Sequence, residues 1–170
     1  MSIRVGILTV SDRSARGERT DISGPALKDI VIEQGWYVVR YEIIPDDLQP
    51  LRDLLAAWAD SDDLDIILTT GGTGFGQRDV TPEATRSVIE RPAPGLTEAM
   101  RAVSLKVTPH AMLSRACAGI RKRALIINLP GSPKGAVENL QVVLPVIPHA
   151  VQLLTEHPLA EEGHGSPSQP

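Results

Sequence analysis

Residues 66–74 read IILTTGGTG, an apolar run that passes directly into a glycine-rich segment. The run Ile66–Thr70 is short and uninterrupted, which is typical of a strand that is covered on both faces in a layered α/β fold. Similar, mostly apolar runs occupy residues 3–10, Tyr37–Ile44 and Ala124–Leu129, and each is followed closely by glycine, proline or aspartate. Helical patterns lie between these runs. The alternation predicts a mostly parallel sheet with right-handed crossovers.

Helical periodicity recurs along the chain, over residues 25–34, 48–59, 95–105 and 135–154, and in a segment that begins near residue 81. Gly35 is placed to end the first of these helices. Thr81 is the expected N-cap of the helix near residue 81, and Pro82 fits its first helical position, where the missing N–H costs nothing. Pro145 and Pro148 are expected to break or kink the last helix, because proline lacks an N–H and clashes with the preceding turn.

The later part of the chain completes the predicted fold. Residues 114–129 predict two short strands on either side of Arg121, Lys122 and Arg123, which we interpret as a hairpin turn rather than a binding patch. The fold class is α/β: a single-domain three-layer fold with a mostly parallel central sheet, helices on both faces and a small β excursion. The domain spans residues 1–157. Residues 158–170 are rich in proline, glycine and serine and predict a disordered C-terminal tail.

The composition excludes several classes of protein. A chain of 170 residues fits one domain. The net charge of −4 carries no basic stripe, so the attraction that dominates nucleic-acid binding is missing. The single cysteine, Cys117, excludes an internal disulfide framework and a zinc site of several thiolates, and it favours a reducing compartment. Its apolar context predicts burial, and the four histidines show no metal-ligand spacing.

The first apolar run is too short to cross a bilayer, which needs ~20 apolar residues. It also lacks the small-residue cleavage site of a secretory signal. The sequence therefore predicts a cytoplasmic protein that contacts no membrane.

Polar and glycine-rich clusters follow the predicted strands, where ligands bind in open α/β sheets. These clusters contain Ser11 and Asp12; Asp46 and Asp47; Gly71, Gly72, Thr73 and Gly74; and Pro130, Gly131, Ser132 and Lys134. Glycines let the backbone approach a ligand closely, and successive free N–H groups form a nest for an anion such as phosphate. Neither the Walker pattern nor the dinucleotide pattern GxGxxG occurs, so ordinary P-loop and dinucleotide-binding functions lose their specific support.

Asp46 and Asp79 are the candidate metal ligands, since Mg²⁺ prefers carboxylate oxygen together with water and substrate phosphate. Two alternatives are structural. Asp46 or Asp47 caps the helix that starts near Leu48, or Asp79 pairs with Arg78.

Ser132 and Pro133 predict a helix start in which serine is the N-cap and proline takes the first helical position. The free N–H groups of such a helix start would face an anion. Lys134 either neutralises a phosphate or is a solvated surface charge.

Several motifs together resemble the molybdopterin adenylyltransferase family of the MogA type, which includes the G domain of gephyrin and its plant counterpart. The resemblance covers residues 3–155. It is carried by the stretches 11–13, 23–25, 45–46, 70–74, 78–85, 94–96, 112–115 and 128–134, which read SDR, SGP, PD, TGGTG, RDVTPEAT, PGL, MLSR and NLPGSPK.

The resemblance implies a homotrimer that transfers AMP from ATP, with Mg²⁺, to the terminal phosphate of molybdopterin. Pyrophosphate is released, and the product passes to a molybdate-insertion protein. Asp46 and Asp79 match the family's two functionally important acids, as catalytic residues and metal ligands. The loop of Gly71, Gly72, Thr73 and Gly74 matches the phosphate-binding loop. The remaining implied substrate-binding residues are Ser11, Asp12, Ser114, Pro130, Gly131, Ser132 and Lys134.

Two other functions stay open. A related MoaB-like branch binds molybdopterin without established transfer activity, as a scaffold or carrier. The presence of both Asp46 and Asp79 favours the transferase, because a scaffold would not need both acids. A nucleotide pyrophosphatase of the competence-damage type is disfavoured, because the chain has no second domain.

Overall fold

In the computed structural model, which describes residues 2–156, six strands form one sheet. The strands are β1 (Arg4–Val10), β2 (Tyr37–Ile44), β3 (Ile66–Thr70), β4 (Arg91–Pro92), β5 (Ala118–Arg121) and β6 (Ala124–Leu129). They lie in the order β2-β1-β3-β6-β5-β4; the pairings among β2, β1, β3 and β6 are parallel and the other two are antiparallel. The mostly parallel sheet is confirmed, and the β5–β6 hairpin forms the predicted excursion; the two-residue strand β4, which pairs with β5, was not predicted. The predicted tail, residues 158–170, lies outside the described residues.

Helices cover both faces of the sheet: α1 (Asp12–Ala15), α2 (Ser23–Glu33), α3 (Leu48–Asp60), α4 (Thr81–Val88), α5 (Pro94–Leu105), α6 (Pro133–Val143) and α7 (Ile147–Leu154). Short 3₁₀ helices occupy Pro109–Leu113 and Leu144–Val146. Buried side chains of α2, α5, α6 and α7 form one core with the sheet, and those of α3 and α4 form the other. The three-layer prediction is therefore confirmed.

Successive residues of β3 point to opposite cores, which explains its uninterrupted apolar run. Ile66 and Leu68 pack in the core beneath α2 and α6, whereas Ile67 packs beneath α3 and α4. All five residues of the strand are buried. Because both faces are covered, polar alternation is absent, and β3 stands at the centre of the parallel part of the sheet.

β2 departs from the prediction that it is covered on both faces, because it lies at the edge of the sheet. Four of its apolar side chains are 38–64% exposed: Tyr37, Val39, Tyr41 and Ile43. The pairing with β1 shifts register between Val5 and Gly6, so that Val39 is skipped. An apolar composition does not distinguish an edge strand from a central one, and the expectation of two covered faces was wrong for β2.

Two local predictions turned out differently. The helix α4 begins at Thr81 with Val80 as its N-cap, so Thr81 is not the cap. Its hydroxyl is buried and donates to the carbonyl of Gly71 at 2.9 Å, a contact that holds the glycine-rich loop. The break at Pro145 is confirmed, because a 3₁₀ turn there separates α6 from α7. Pro148 instead lies in the first turn of α7, where proline is tolerated.

The basic hairpin turn is structural, as predicted. Arg121 forms an ion pair with Asp60 at 2.6 Å, and Lys122 approaches the same carboxylate at 3.3 Å. Lys122 has a φ of +50°, which is the left-handed conformation of a tight turn.

The continuous helical segment Pro133–Leu154 has the length, 22 residues, and the mean hydropathy, 1.2, of a segment that could cross a membrane. Five of its apolar side chains are used inside the fold, however. Ala136, Leu140, Val143, Ile147 and Val151 are at most 1% exposed and pack in the core beside α2. One face of the segment therefore packs in the core of the fold.

Gly6 marks a close approach between β1 and α3. A Cβ at this position would lie 2.9 Å from ring atoms of Trp58 and 2.9 Å from Leu64 Cδ1. Both of those side chains are buried, so Gly6→Ala is expected to destabilise the fold by about 1–3 kcal/mol. Urea unfolding measures this directly. Gly95→Ala is the matched control, because a Cβ there meets nothing within 4 Å. Equal stability of Gly6→Ala and the parent chain would contradict the packing.

Candidate active site

Two cavities open at the carboxyl ends of the central strands, on either side of the loop that follows β3. The wall of a polar cavity of about 340 Å³ includes Gly71 and Gly72. The wall of a more apolar cavity of about 300 Å³ includes Thr73 and Gly74. Ser132, which follows β6, lines both cavities. The loop thus separates two compartments of one site, each large enough for part of a small molecule.

The structure brings most of the predicted site residues to these cavities. The polar cavity is lined by Ser11, Asp46, Gly71, Gly72, Asp79, Gly131 and Ser132. The apolar cavity is lined by Thr73, Gly74, Ser114, Pro130 and Ser132. Asp12 lies behind Asp46 and supports it through hydrogen bonds. The side chain of Lys134 is 78% exposed and lies 3.7 Å from Glu138, outside the residues that line either cavity.

The conformation of the loop requires glycine at its first two positions. Gly71 has a φ of +101° and Gly72 a φ of +64°, in the left-handed region that side chains rarely adopt. A Cβ at Gly71 would also collide with the carbonyl oxygen of Val10. The backbone N–H of Thr81 donates to Gly72 at 3.1 Å, which fixes the loop against the start of α4.

Asp46 is a buried carboxylate at the end of β2. Its Oδ2 accepts the backbone N–H of Asp12 at 2.8 Å, and Asp12 in turn accepts the N–H of Asp46 at 3.0 Å. Burial raises the pKa of Asp46; the hydrogen bond from Asp12 opposes this, and the charges of Asp12 and Asp79 add to it. Burial makes the ionised form of Asp46 unfavourable, and a bound cation would stabilise that form. These are the electrostatic conditions expected of a metal ligand.

The capping alternative is wrong for both aspartates. Asp47 stands at the N-cap position of α3, but its side chain makes no capping hydrogen bond. It pairs instead with Arg78 at 2.8 Å. The carboxylate of Asp46 is turned to the N–H of Asp12 and into the polar cavity.

Asp79 is held by its own loop. Its Oδ2 accepts the N–H of Gly76 at 2.8 Å, and a Cβ at Gly74 would lie 2.9 Å from that oxygen. The alternative of an Asp79–Arg78 pair is wrong, because Arg78 binds Asp12 at 2.9 Å and Asp47 at 2.8 Å. The Arg78 hydrogen bonds lower the pKa of Asp12. Arg78 therefore ties the strand ends together and leaves Asp79 facing the cavity.

Sequence reasoning missed Asp21, which also lines the polar cavity. Its Oδ2 accepts the hydroxyls of Thr9, at 2.6 Å, and of Tyr41, and its Oδ1 accepts the N–H of Gly24 at 3.1 Å. Burial and this contact raise the pKa of Tyr41 to about 12. The one available signal was the position of Asp21, two residues before the quoted motif at Ser23. A carboxylate that accepts three hydrogen bonds serves to shape the cavity wall.

Arg19 was also missed. It is the one lysine or arginine among the described residues that line the polar cavity, which contains three aspartates. A cation in this wall suits an anionic ligand, and no sequence motif marked it.

The segment after β6 is built as predicted. Ser132 caps α6, since its hydroxyl accepts the N–H of Gly135 at 3.1 Å. The hydroxyls of Thr70 and Ser23 donate to the carbonyls of Pro130, at 2.7 Å, and Gly131, at 2.8 Å. The first turn of α6 therefore faces both cavities at a fixed position.

Cys117 is half-buried beside the apolar cavity and serves the fold. Its thiol donates to Asn128 Oδ1 at 3.3 Å, and burial raises the pKa of the thiol. The amide of buried Asn128 donates to Thr69 and Thr85 at 3.0 and 2.9 Å. A raised thiol pKa disfavours a nucleophilic role, in agreement with the sequence interpretation.

A family model described as a probable molybdopterin binding domain matches residues 6–149. The molybdopterin adenylyltransferase of Helicobacter pylori strain J99 is 43% identical over 158 residues, which cover 90% of this chain and 88% of the relative. The chain belongs to the molybdopterin adenylyltransferase family. This confirms the resemblance found in the sequence motifs.

Gephyrin and MoaB are two further proteins to which the chain is similar. Gephyrin of Dictyostelium discoideum is 44% identical over 174 residues; the match covers 95% of this chain but 24% of gephyrin. The crystal structure of the molybdopterin biosynthesis enzyme MoaB from Thermus thermophilus superimposes with a TM-score of 0.86 at 53% identity, covering 92% of this chain and 98% of that one. The α/β fold is thus the fold of the family.

The family expectation of Mg²⁺ can be compared with the oxygen atoms at the site. Among residues 2–156 there is no group of three or more histidine, cysteine, aspartate or glutamate side chains that could hold a metal. Asp46 and Asp79 each commit Oδ2 to a backbone N–H, which leaves one carboxylate oxygen of each for another ligand. Mg²⁺ is commonly held by one or two carboxylates plus water and substrate phosphate, so the donor set fits.

Proposed function

We propose that the protein transfers AMP from ATP to the terminal phosphate of molybdopterin, with Mg²⁺, and releases pyrophosphate. The observation that carries this proposal is the position of Asp46 and Asp79, two carboxylates in one polar cavity beside the glycine-rich loop. The names of the relatives support the same activity.

The polar cavity has the groups that a polyphosphate needs. Gly71 and Gly72 present backbone in its wall, and Ser132 places the N-terminus of α6 there. Helix N-termini and glycine nests bind phosphate through free N–H groups. Arg19 adds a positive charge to the same wall. We assign the phosphates to this cavity, and the heterocyclic ring of one substrate to the apolar cavity.

The reaction needs positioning more than acid–base catalysis. An oxygen of the molybdopterin phosphate attacks the α-phosphorus of ATP and forms a new P–O bond, while the bond from that phosphorus to the bridging oxygen breaks and pyrophosphate leaves. The attacking oxygen is already anionic, so no strong general base is required, and among residues 2–156 neither a histidine nor a cysteine lines the polar cavity. When bound, Mg²⁺ supplies positive charge that offsets the repulsion between the phosphates. The loop and the two aspartates hold the reacting groups in line.

A molybdopterin-binding scaffold is the second candidate function. It is supported by the 53% identity to a MoaB structure, because the scaffold function was expected for the MoaB-like branch. The two candidates differ in their use of the acids. A scaffold has no need for a buried carboxylate such as Asp46, whose pKa is raised by burial, whereas a transferase uses one to hold a cation.

Pyrophosphate release tests the transferase. We expect ATP to yield pyrophosphate only when molybdopterin and Mg²⁺ are both present, and an ATP analogue with a methylene group between the α- and β-phosphorus atoms to yield none. Release at the same rate without molybdopterin would instead indicate a nucleotide pyrophosphatase.

We also propose a homotrimer. The family resemblance implies this assembly, and the four exposed apolar side chains of the edge strand β2 are available for a contact between subunits. Sedimentation equilibrium is expected to give three times the chain mass of 18.3 kDa at micromolar concentration. A stable monomer would contradict this prediction.

We place the protein in the cytoplasm, which its half-buried single cysteine supports. The adenylylated product is then handed to a molybdate-insertion protein.

A further inference from the structure

Arg115 makes an unusual set of contacts with the loop that carries Asp79. Its guanidinium donates to the carbonyl of Gly74 at 2.6 Å and to the carbonyl of Asp79 at 2.6 Å. Its backbone N–H donates to the carbonyl of Thr73 at 2.8 Å. One residue therefore fastens the loop at three points, across a sequence separation of about forty residues.

Glu83 completes this arrangement from α4. Its Oε1 accepts a third guanidinium N–H of Arg115, and its Oε2 is buried without a hydrogen-bond partner in residues 2–156. The planar guanidinium is thus fixed in orientation by one carboxylate and two carbonyls, a set that lysine cannot satisfy with a single ammonium group. Arg86 lies 3.9 Å from the same Glu83 oxygen and donates to the backbone carbonyl of Arg115 at 3.4 Å; neither of these contacts is with residues 73–79.

The contacts of Arg115 lie between the two cavities. Ser114, the preceding residue, lines the apolar cavity, while the Asp79 carboxylate lines the polar one. Arg115 itself lines neither of these two cavities, but with Asp79 and Glu83 it lines a third, more open one on the outer side of the loop. Its guanidinium contacts with the carbonyls of Gly74 and Asp79 place it to act through the loop.

We propose that Arg115, oriented by Glu83, is a positioning residue that holds the loop from Thr73 to Asp79 so that the Asp79 carboxylate faces Asp46. The proposal rests on the proposed function for its catalytic consequence. Its structural consequence, an ordered loop, does not depend on any reaction. Removal of a group that hydrogen-bonds to a metal-binding segment and orients it commonly lowers metal affinity or activity by about 10–100-fold.

The experiment compares the full chain with Arg115→Gln and Arg115→Lys. Hydrogen exchange of the ligand-free protein is expected to show faster exchange at the amides of Gly76 and Asp79 in both variants, while the amides of β6 keep their protection. In the transfer assay, kcat is expected to fall about 10–100-fold and the Mg²⁺ concentration for half-activation to rise about tenfold or more, with KM for molybdopterin unchanged. Arg115→Lys should recover little of this loss.

Arg86→Gln is the matched control, because it removes a positive charge beside Glu83 and a 3.4 Å hydrogen bond to the Arg115 carbonyl, but leaves every guanidinium contact of Arg115 in place. It is expected to leave loop exchange and Mg²⁺ dependence as in the parent chain. Unchanged loop exchange and unchanged Mg²⁺ dependence in Arg115→Gln would overturn the proposal. Should the parent chain show no AMP transfer, the proposed function fails, and the exchange measurement still decides whether Arg115 holds the loop. A variant that loses protection throughout the sheet would assign Arg115 to global stability and would overturn the positioning role.

Discussion

Asp79→Asn and Asp46→Asn are each expected to abolish AMP transfer or to lower it by about 100-fold or more, while the fold remains intact. Asparagine keeps the volume and one hydrogen-bond acceptor of the side chain, so the contacts with Gly76 and with Asp12 can persist. What it removes is the negative charge that faces the polar cavity. A transfer assay together with circular dichroism measures both parts of the prediction.

Asp46→Asn is also expected to keep or raise the melting temperature near neutral pH. Burial raises the pKa of Asp46 in the folded protein, so the native state binds this proton more tightly than the unfolded state. The stability contribution of this group therefore falls as pH rises from the unfolded pKa through the raised folded value. A neutral side chain avoids that loss, so activity and stability should move in opposite directions.

Asp47→Asn is the matched control for both variants. Asp47 is the adjacent carboxylate, but it pairs with Arg78 and lies outside the lining of the polar cavity. We expect near-normal transfer from this variant. Full activity in both Asp46→Asn and Asp79→Asn would instead exclude a role for the two acids in holding a metal.

Gly72→Ala is expected to cause the second large loss. The φ of +64° already disfavours alanine, and the added Cβ would collide with Thr81 Oγ1 and lie 2.9 Å from Asp46 Oδ1. Relief of these contacts requires movement of the loop, of α4 or of the Asp46 carboxylate. Calorimetric titration with nucleotide and with molybdopterin should show weakened binding of at least one ligand, and the transfer rate should fall by about 100-fold, since displacements near 1 Å from the reactive geometry cost about this much in rate.

Gly95→Ala serves again as the control for adding a methyl group, because the space around Gly95 is open. Unchanged affinity of Gly72→Ala for both ligands would refute the loop as a phosphate cradle. The structure thus adds a second reason for glycine at this position: the Cβ would fill space that the Asp46 carboxylate occupies.

The sequence predicted the central strands well, because burial on both faces leaves an uninterrupted apolar run such as Ile66–Thr70. It failed for the edge strand β2, since the same apolar composition there faces solvent. The partners of charged groups were not predictable either. A pair between Arg78 and its sequence neighbour Asp79 was one open alternative, but Arg78 binds carboxylates that follow two other strands.

The sequence proposed Asp46 and Asp79 as candidate acids because they follow predicted strands and match a family motif, and both line the polar cavity. Asp21 and Arg115 were missed as site residues because their roles depend on contacts with distant parts of the chain. Asp21 meets Tyr41 from a neighbouring strand, and Arg115 meets Glu83 and Gly74. A local sequence pattern does not show which distant residues a side chain will contact in the fold.

The most direct test of the central claim is mass spectrometry of the products after the purified chain is incubated with molybdopterin, ATP and Mg²⁺. We predict a species with the mass of molybdopterin plus AMP, formed in equal amount with pyrophosphate over several turnovers and lost when Mg²⁺ is chelated. Molybdopterin that binds at full occupancy and is recovered unmodified in the presence of Mg²⁺ and ATP would contradict the transferase and would identify the protein as a molybdopterin carrier.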